Sequence, residues 1–250
     1  MADMAAAAVA AGLDELCFSD HVDTVDWKTY APVDTFPWEK ALAQLAEARR
    51  LWGDRIRLKL GAELGEAYMA FDRADRLVDG APPLDFTIGS VHMLGERYGY
   101  RDLYYVEAGD AAHYRDVIDS YLEEMRKLAQ WGRFNVLGHL TLPLRYINEN
   151  FHAGLTFADH REQVEELFRI IIPKGIGIEC NTNRGNAPLP DIPELTLYRR
   201  MGGEIVTLGS DAHTPDHVGC CIRERQALLR QCGFTYFTTF EGGKPAFHRL

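Results

Sequence analysis

The stretch Ile205-Val206-Thr207-Leu208-Gly209-Ser210-Asp211-Ala212-His213 decides how this chain is read. It begins as a short apolar run of strand character and ends on a carboxylate and an imidazole. Five other runs end on or lead straight to a side chain able to bind metal: Ser19-Asp20-His21, Gly61-Ala62-Glu63, Gly89-Ser90-Val91-His92, Gly138-His139 and Glu179-Cys180-Asn181-Thr182. Only the run at 234–240 carries none. In a parallel β/α barrel the strand ends face one mouth, so donors distant in sequence converge there. One His at a strand end is usually a hydrogen-bonded structural residue. Six such ends in one chain point instead to a metallohydrolase barrel.

Between the runs the pattern turns helical. Strands are expected at 15–19, 56–63, 86–92, 134–139, 177–182, 205–210 and 234–240. Helices are expected at 2–11, 37–52, 71–78, 111–131, 157–172, 193–201 and 222–231. The longest, 111–131, spaces Val117, Tyr121, Met125 and Leu128 at helical period and stops at Gly132. Regular alternation of helix and strand predicts a parallel α/β architecture, with residues 1–250 as one domain. After His139 a long excursion through Pro143, Arg145 and Tyr146 is expected. A barrel opens on a strand, whereas this chain opens on helix 2–11, so the first strand is expected to be absent.

The chain has 250 residues, enough for one barrel with a substantial core. Its 27 Lys and Arg against 37 Asp and Glu give a net charge of −10. No basic stripe is present, which argues against general binding to nucleic acid or an anionic membrane. No run reaches the length needed to span a bilayer. The five cysteines, Cys17, Cys180, Cys220, Cys221 and Cys232, are odd in number and lack CxxC spacing. A reducing compartment, and so a cytoplasmic protein, is the expectation. Cys180 is read as a small buried hydrophobe, Asp20 as an outer partner or loop cap, and His113, His152, His160, His217 and His248 as surface residues.

Clustered divalent metals suit hydrolysis of phosphate monoesters, among the slowest uncatalysed reactions known. A carboxylate such as Glu63 or Asp211 can bridge two metals, and imidazoles such as His92 and His139 suit Zn, Fe or Mn. Mixed N and O donors without thiolates indicate a catalytic rather than a structural site.

These motifs, in this order, resemble the PHP (polymerase and histidinol phosphatase) superfamily. Gly138-His139-Leu140 followed by Leu144-Arg145-Tyr146, together with Glu179-Cys180-Asn181-Thr182, Gly209-Ser210-Asp211-Ala212-His213 and Gly233-Phe234-Thr235, resembles its histidinol-phosphate phosphatase branch. The resemblance implies a distorted seven-stranded barrel holding up to three divalent metals. It implies that Glu63 bridges two of them, that His92 and His139 complete one site, that Asp211 joins the second, and that His21 and His213 serve the third. Asp211 and His213 become the candidate catalytic residues, and Arg145 and Arg184 the phosphate-gripping ones, a role suited to planar bidentate donors. The family pattern also begins with a His-x-His pair, and no histidine precedes His21. Only the Glu63, His92, His139 site is then expected to be whole, and activity is expected to be weak.

The implied activity is hydrolysis of L-histidinol phosphate in histidine biosynthesis. Asp23, Asp26 and Glu66 would form an acidic mouth for its amine. Two alternatives stay open: a phosphoesterase acting on nucleotides or another small phosphomonoester, and a metal-poor, inactive PHP protein serving as a binding subunit.

Overall fold

The structure, a computed structural model, describes residues 1–250. Helix α1 (Ala2–Ala10) precedes strand β1 (Glu15–His21), followed by α2 (Trp38–Trp52), β2 (Arg57–Gly65), α3 (Phe71–Asp79), β3 (Phe86–Ser90) and α4 (Ala111–Trp131). Then come β4 (Val136–Leu137), α5 (Leu142–Phe151), α6 (Arg161–Ile171), β5 (Gly177–Asn181), α7 (Ile192–Arg200), β6 (Val206–Gly209) and α8 (Ile222–Gln231). A hairpin of β7 (Tyr236–Glu241) and β8 (Lys244–Arg249) ends the chain. Strands β1 to β6 pair parallel in sequence order and curl into a half-barrel. This is the expected α/β class.

Local sequence explains the main elements. Along β2 the period of two puts Leu58, Leu60, Ala62 and Leu64 on one face, all buried. Lys59, Gly61 and Glu63 take the other face, inside the curl. A side chain at Gly61 would come within 2.7 Å of the Phe86 carbonyl and 2.9 Å of Cys17 Sγ, so only glycine fits. In α4 the Asp110 carboxylate accepts from the His113 amide at 2.8 Å, and Gly132 closes the helix in the left-handed conformation. Its inner face joins a core of 39 buried residues that also takes in α6 and α7.

Two elements depart from expectation. The excursion after His139 contains helix α5, with Pro143 in its first turn, where a missing amide costs nothing. The last strand does not extend the parallel sheet. Gly242 and Gly243, both at positive φ, make a two-residue turn, and β7 pairs antiparallel with β8. The hairpin plugs the end of the half-barrel away from the strand C-termini. There Lys59 Nζ donates to the Phe240 carbonyl at 2.7 Å and pairs with Glu15, and the Gly243 amide donates to Asp85. Phe240 packs on Ile88 and Val136.

The sheet therefore has two edges, β1 and β6. Between them runs a seam of about 780 Å³, lined by Leu16, Phe18, Leu208 and Phe237 and reaching up to Glu63, His139 and Asp211. No helix is long and apolar enough to cross a membrane.

Candidate metal centre

Strand register assembles the centre. His21, the last residue of β1, stands opposite Glu63 of β2; Glu63 stands opposite Ile88 of β3, and Ile88 opposite Val136 of β4. Chain just beyond β3 and β4 then delivers His92 and His139. Glu63 Oε1 lies 3.2 Å from His92 Nε2 and 3.1 Å from His139 Nε2, while Oε2 lies 3.6 Å from His21 Nε2. The donor atoms of Glu63, His92 and His139 all lie within 4.8 Å of one another, as do those of His21, Asp23 and His92.

The His92 and His21 rings have carboxylates behind them, and His139 is held through its backbone amide. The Glu66 carboxylate accepts from the His92 amide at 2.8 Å and lies 3.3 Å from His92 Nδ1. Asp23 Oδ1 is 3.5 Å from His21 Nδ1. Glu179 Oε2 accepts from the His139 amide at 2.9 Å. A side chain at Gly209 would collide with the Glu179 carboxylate, so this glycine keeps the space clear. Glu66 and Asp211 hold φ of 55° and 51°, and His139 holds 21°. Such backbone costs about 1–3 kcal/mol per residue and persists where surrounding contacts impose it.

Charge follows the geometry. Burial alone would raise the Glu63 carboxyl, but the His21 charge and the bonds from His139 and His92 outweigh it and hold it well below the usual range. Burial works against a charged His92, yet Glu66 and Glu63 push it well above its ordinary value. His21 likewise overcomes burial through Glu63 and Asp23, reaching about 9. Burial raises Glu179.

These residues fit a divalent metal. Three imidazole Nε2 atoms converge on one buried carboxylate, a mixed N and O donor set without thiolate. His139 Nδ1 and Asp23 Oδ1 are buried without a hydrogen-bond partner.

Of the predicted site residues, His21, Glu63, His92 and His139 come together, while Asp211 and His213 line the same cavity without joining that donor cluster. Arg145, on α5, grips Asp211 Oδ2 through Nη2 at 3.1 Å and Nη1 at 3.2 Å, and its Nε donates to Asn183 Oδ1 at 2.8 Å. His213 is exposed, its ring centred 6.0 Å from that of His21. Arg184 is exposed in the loop after β5, at φ 54°. Asp26 accepts from the Lys28 and Thr29 amides and builds a turn instead of an acidic mouth. His160, read as a surface residue, is buried against Phe157. Cys180 is buried, as expected.

Sequence reasoning did not see Asp23 and Glu66 as partners of the metal-facing rings. The spacing His21-Val22-Asp23 held a usable signal, since alternate residues of an extended segment share a face. Nothing local marks Glu66, whose left-handed backbone turns its carboxylate under His92.

A family model described as PHP domain matches residues 1–183, a span that includes His21, Glu63, His92, His139 and Arg145. The chain is 28% identical to the histidinol-phosphatase of Lactococcus lactis subsp. lactis (strain IL1403), over 95% of this chain and 87% of that protein. It is 27% identical to the probable histidinol-phosphatase of Deinococcus radiodurans, over 92% of this chain and 86% of that protein. Among solved structures it resembles histidinol phosphate phosphatase from Lactococcus lactis subsp. lactis Il1403, complexed with Zn, L-histidinol and phosphate. The TM-score is 0.76 at 23% identity, covering 98% of this chain and 91% of that one, a likeness of fold.

Proposed function

The chain belongs to the PHP family, and from that premise we propose that it is a metal-dependent histidinol phosphatase, hydrolysing L-histidinol phosphate to L-histidinol and phosphate. The observation that carries the phosphatase reading is the buried Glu63 carboxylate faced by three imidazole Nε2 atoms at 3.1–3.6 Å. The relatives named histidinol-phosphatase, similar over more than nine-tenths of this chain, support the substrate.

In this reading residues 1–250 form one domain in a cytoplasmic enzyme of histidine biosynthesis. Glu63, His92 and His139 hold one divalent ion, Zn, Fe or Mn, with His21, Asp211 and His213 serving further ions up to three. A metal held there supplies Lewis acidity toward a phosphate oxygen. Arg145 presents a planar fork, and its bonds to Asn183 and Asn181 keep that fork oriented. A phosphate dianion competes with Asp211 for it, a charge-assisted and bidentate exchange. Arg184 supplies a second cation from the facing loop. His213, exposed and hydrogen-bonded through Nδ1 to the Asp211 carbonyl at 3.0 Å, offers its one remaining nitrogen, Nε2, to such a further ion or, where no ion takes it, as the proton donor to the departing alkoxide.

The test is phosphate release from L-histidinol phosphate beside a panel of nucleotides and sugar phosphates, with Zn, Mn or Fe added. A preference of about tenfold or more in kcat/KM for L-histidinol phosphate supports the reading. Equal or greater turnover of a nucleotide transfers the site to another phosphomonoester.

A further inference from the structure

Away from the metal centre, two neighbouring thiols are held side by side. Cys220 and Cys221 are consecutive, free and partly exposed. Consecutive side chains in regular backbone diverge. Here Cys221 takes φ 56°, and the Cys220 thiol donates to Cys221 Sγ at 3.6 Å. A left-handed conformation is disfavoured for a residue with a Cβ, so the surrounding fold imposes it.

The surroundings leave room at the sulfurs. Gly185, at φ 94°, faces both: a side chain there would lie 3.3 Å from Cys221 Sγ and 3.9 Å from Cys220 Sγ. Arg225, one turn into α8, donates to the carbonyls of Thr182 and Asn186 and ties the helix start to the loop that carries Gly185. The other three cysteines are separated in the fold, on β1, on β5 and after α8.

We propose that Cys220 and Cys221 form a dithiol site that chelates soft thiophilic centres, trivalent arsenicals in particular. Two thiols and an organoarsenic oxide, R–As=O, condense to R–As(S–Cys)₂ and one water. Two As–S bonds replace the As=O bond, both thiol protons leave on the oxide oxygen, and arsenic stays trivalent. Sulfur donors select soft centres, whereas the imidazole and carboxylate donors around Glu63 suit borderline and harder divalent ions. The molecule thus keeps two sites that divide ligands by chemistry.

Titrating the reduced full-length protein with phenylarsine oxide tests this by intact mass and by the count of thiols reactive toward a small disulfide reagent. One phenylarsenic adduct per chain with loss of two reactive thiols is expected, reversed by dimercaptopropanol but not by mercaptoethanol at equal thiol concentration. Cys220→Ser and Cys221→Ser should each abolish uptake with the thermal midpoint unchanged, while Cys17→Ser retains it. No uptake by the parent protein, or uptake surviving in both Cys220→Ser and Cys221→Ser, overturns the proposal.

Discussion

The ends of β2, β3 and β4 and the seam between β1 and β6 meet at one mouth but are built differently. Glu63, His92 and His139 come from the ends of neighbouring strands in one hydrogen-bonded sheet, and Glu63 Oε1 sits 3.1–3.2 Å from both imidazoles. Across the seam, which no ladder bonds bridge, Asp211 is engaged by Arg145 and His213 is exposed. Register in a continuous sheet brings the strand ends together, and the chain just beyond them completes the set with Glu66 and Glu179 holding the His92 and His139 amides. Across a gap, position depends on side-chain pairing, and the nearest cation takes the carboxylate.

The sharpest way to break this comparison is to remove a donor from the closed side. His92→Ala or His139→Ala should strip bound metal, weakening affinity by more than the roughly 10–100-fold that losing an outer partner costs. Unchanged metal content in both variants would remove these residues from the ligand set. Next in size, Glu66→Gln should weaken metal binding about 10–100-fold by freeing the His92 ring, which a competition titration against a chelator reads. If the closed side holds its geometry through register alone, that titration will not move.

On the seam side, Arg145→Ala and Arg184→Ala should raise KM for L-histidinol phosphate about tenfold or more, since a charged contact contributes roughly 1.5–3 kcal/mol. Steady-state kinetics unchanged in both variants would return the arginines to bracing roles. The smallest effect lies on α7, which leads into β6. Burial raises the Glu194 carboxyl to about 7 from its ordinary 4.5. Its favourable contribution is complete below 4.5 and is lost as pH rises through 7, when the buried group must ionise. Glu194→Gln should therefore raise Tm by about 2–4 °C at pH 8 and do little at pH 4, followed by thermal melts. A shift of equal size at both pH values would assign the effect to packing.

How far the sequence could be read follows the same division. The order of β1 to β6 was legible because each run is apolar, punctuated and closed by a metal-capable side chain; Glu63, His92 and His139 are among those endings, and their grouping into one site was what the resemblance to the PHP superfamily implied. Helix α5 was hidden because Pro143 reads as a loop signal yet also suits a first helical turn. The β7–β8 pairing had a signal in Gly242-Gly243, outweighed by the expectation of one more parallel strand. The Arg145–Asp211 pair had none, since two residues 66 positions apart meet only through tertiary structure. The turn that brings Cys221 beside Cys220 is equally silent, being a backbone choice that the residue types do not announce.

The central claim is that the closed side holds a metal by itself. Metal content per chain, measured after Zn or Mn loading and exhaustive desalting, tests it in the parent protein, His139→Ala and Asp211→Asn. The account predicts at least one tightly held ion in the parent, the same ion retained in Asp211→Asn and lost in His139→Ala. Loss of that ion in Asp211→Asn to the same extent as in His139→Ala would contradict it, because the seam would then be part of the site that holds the ion.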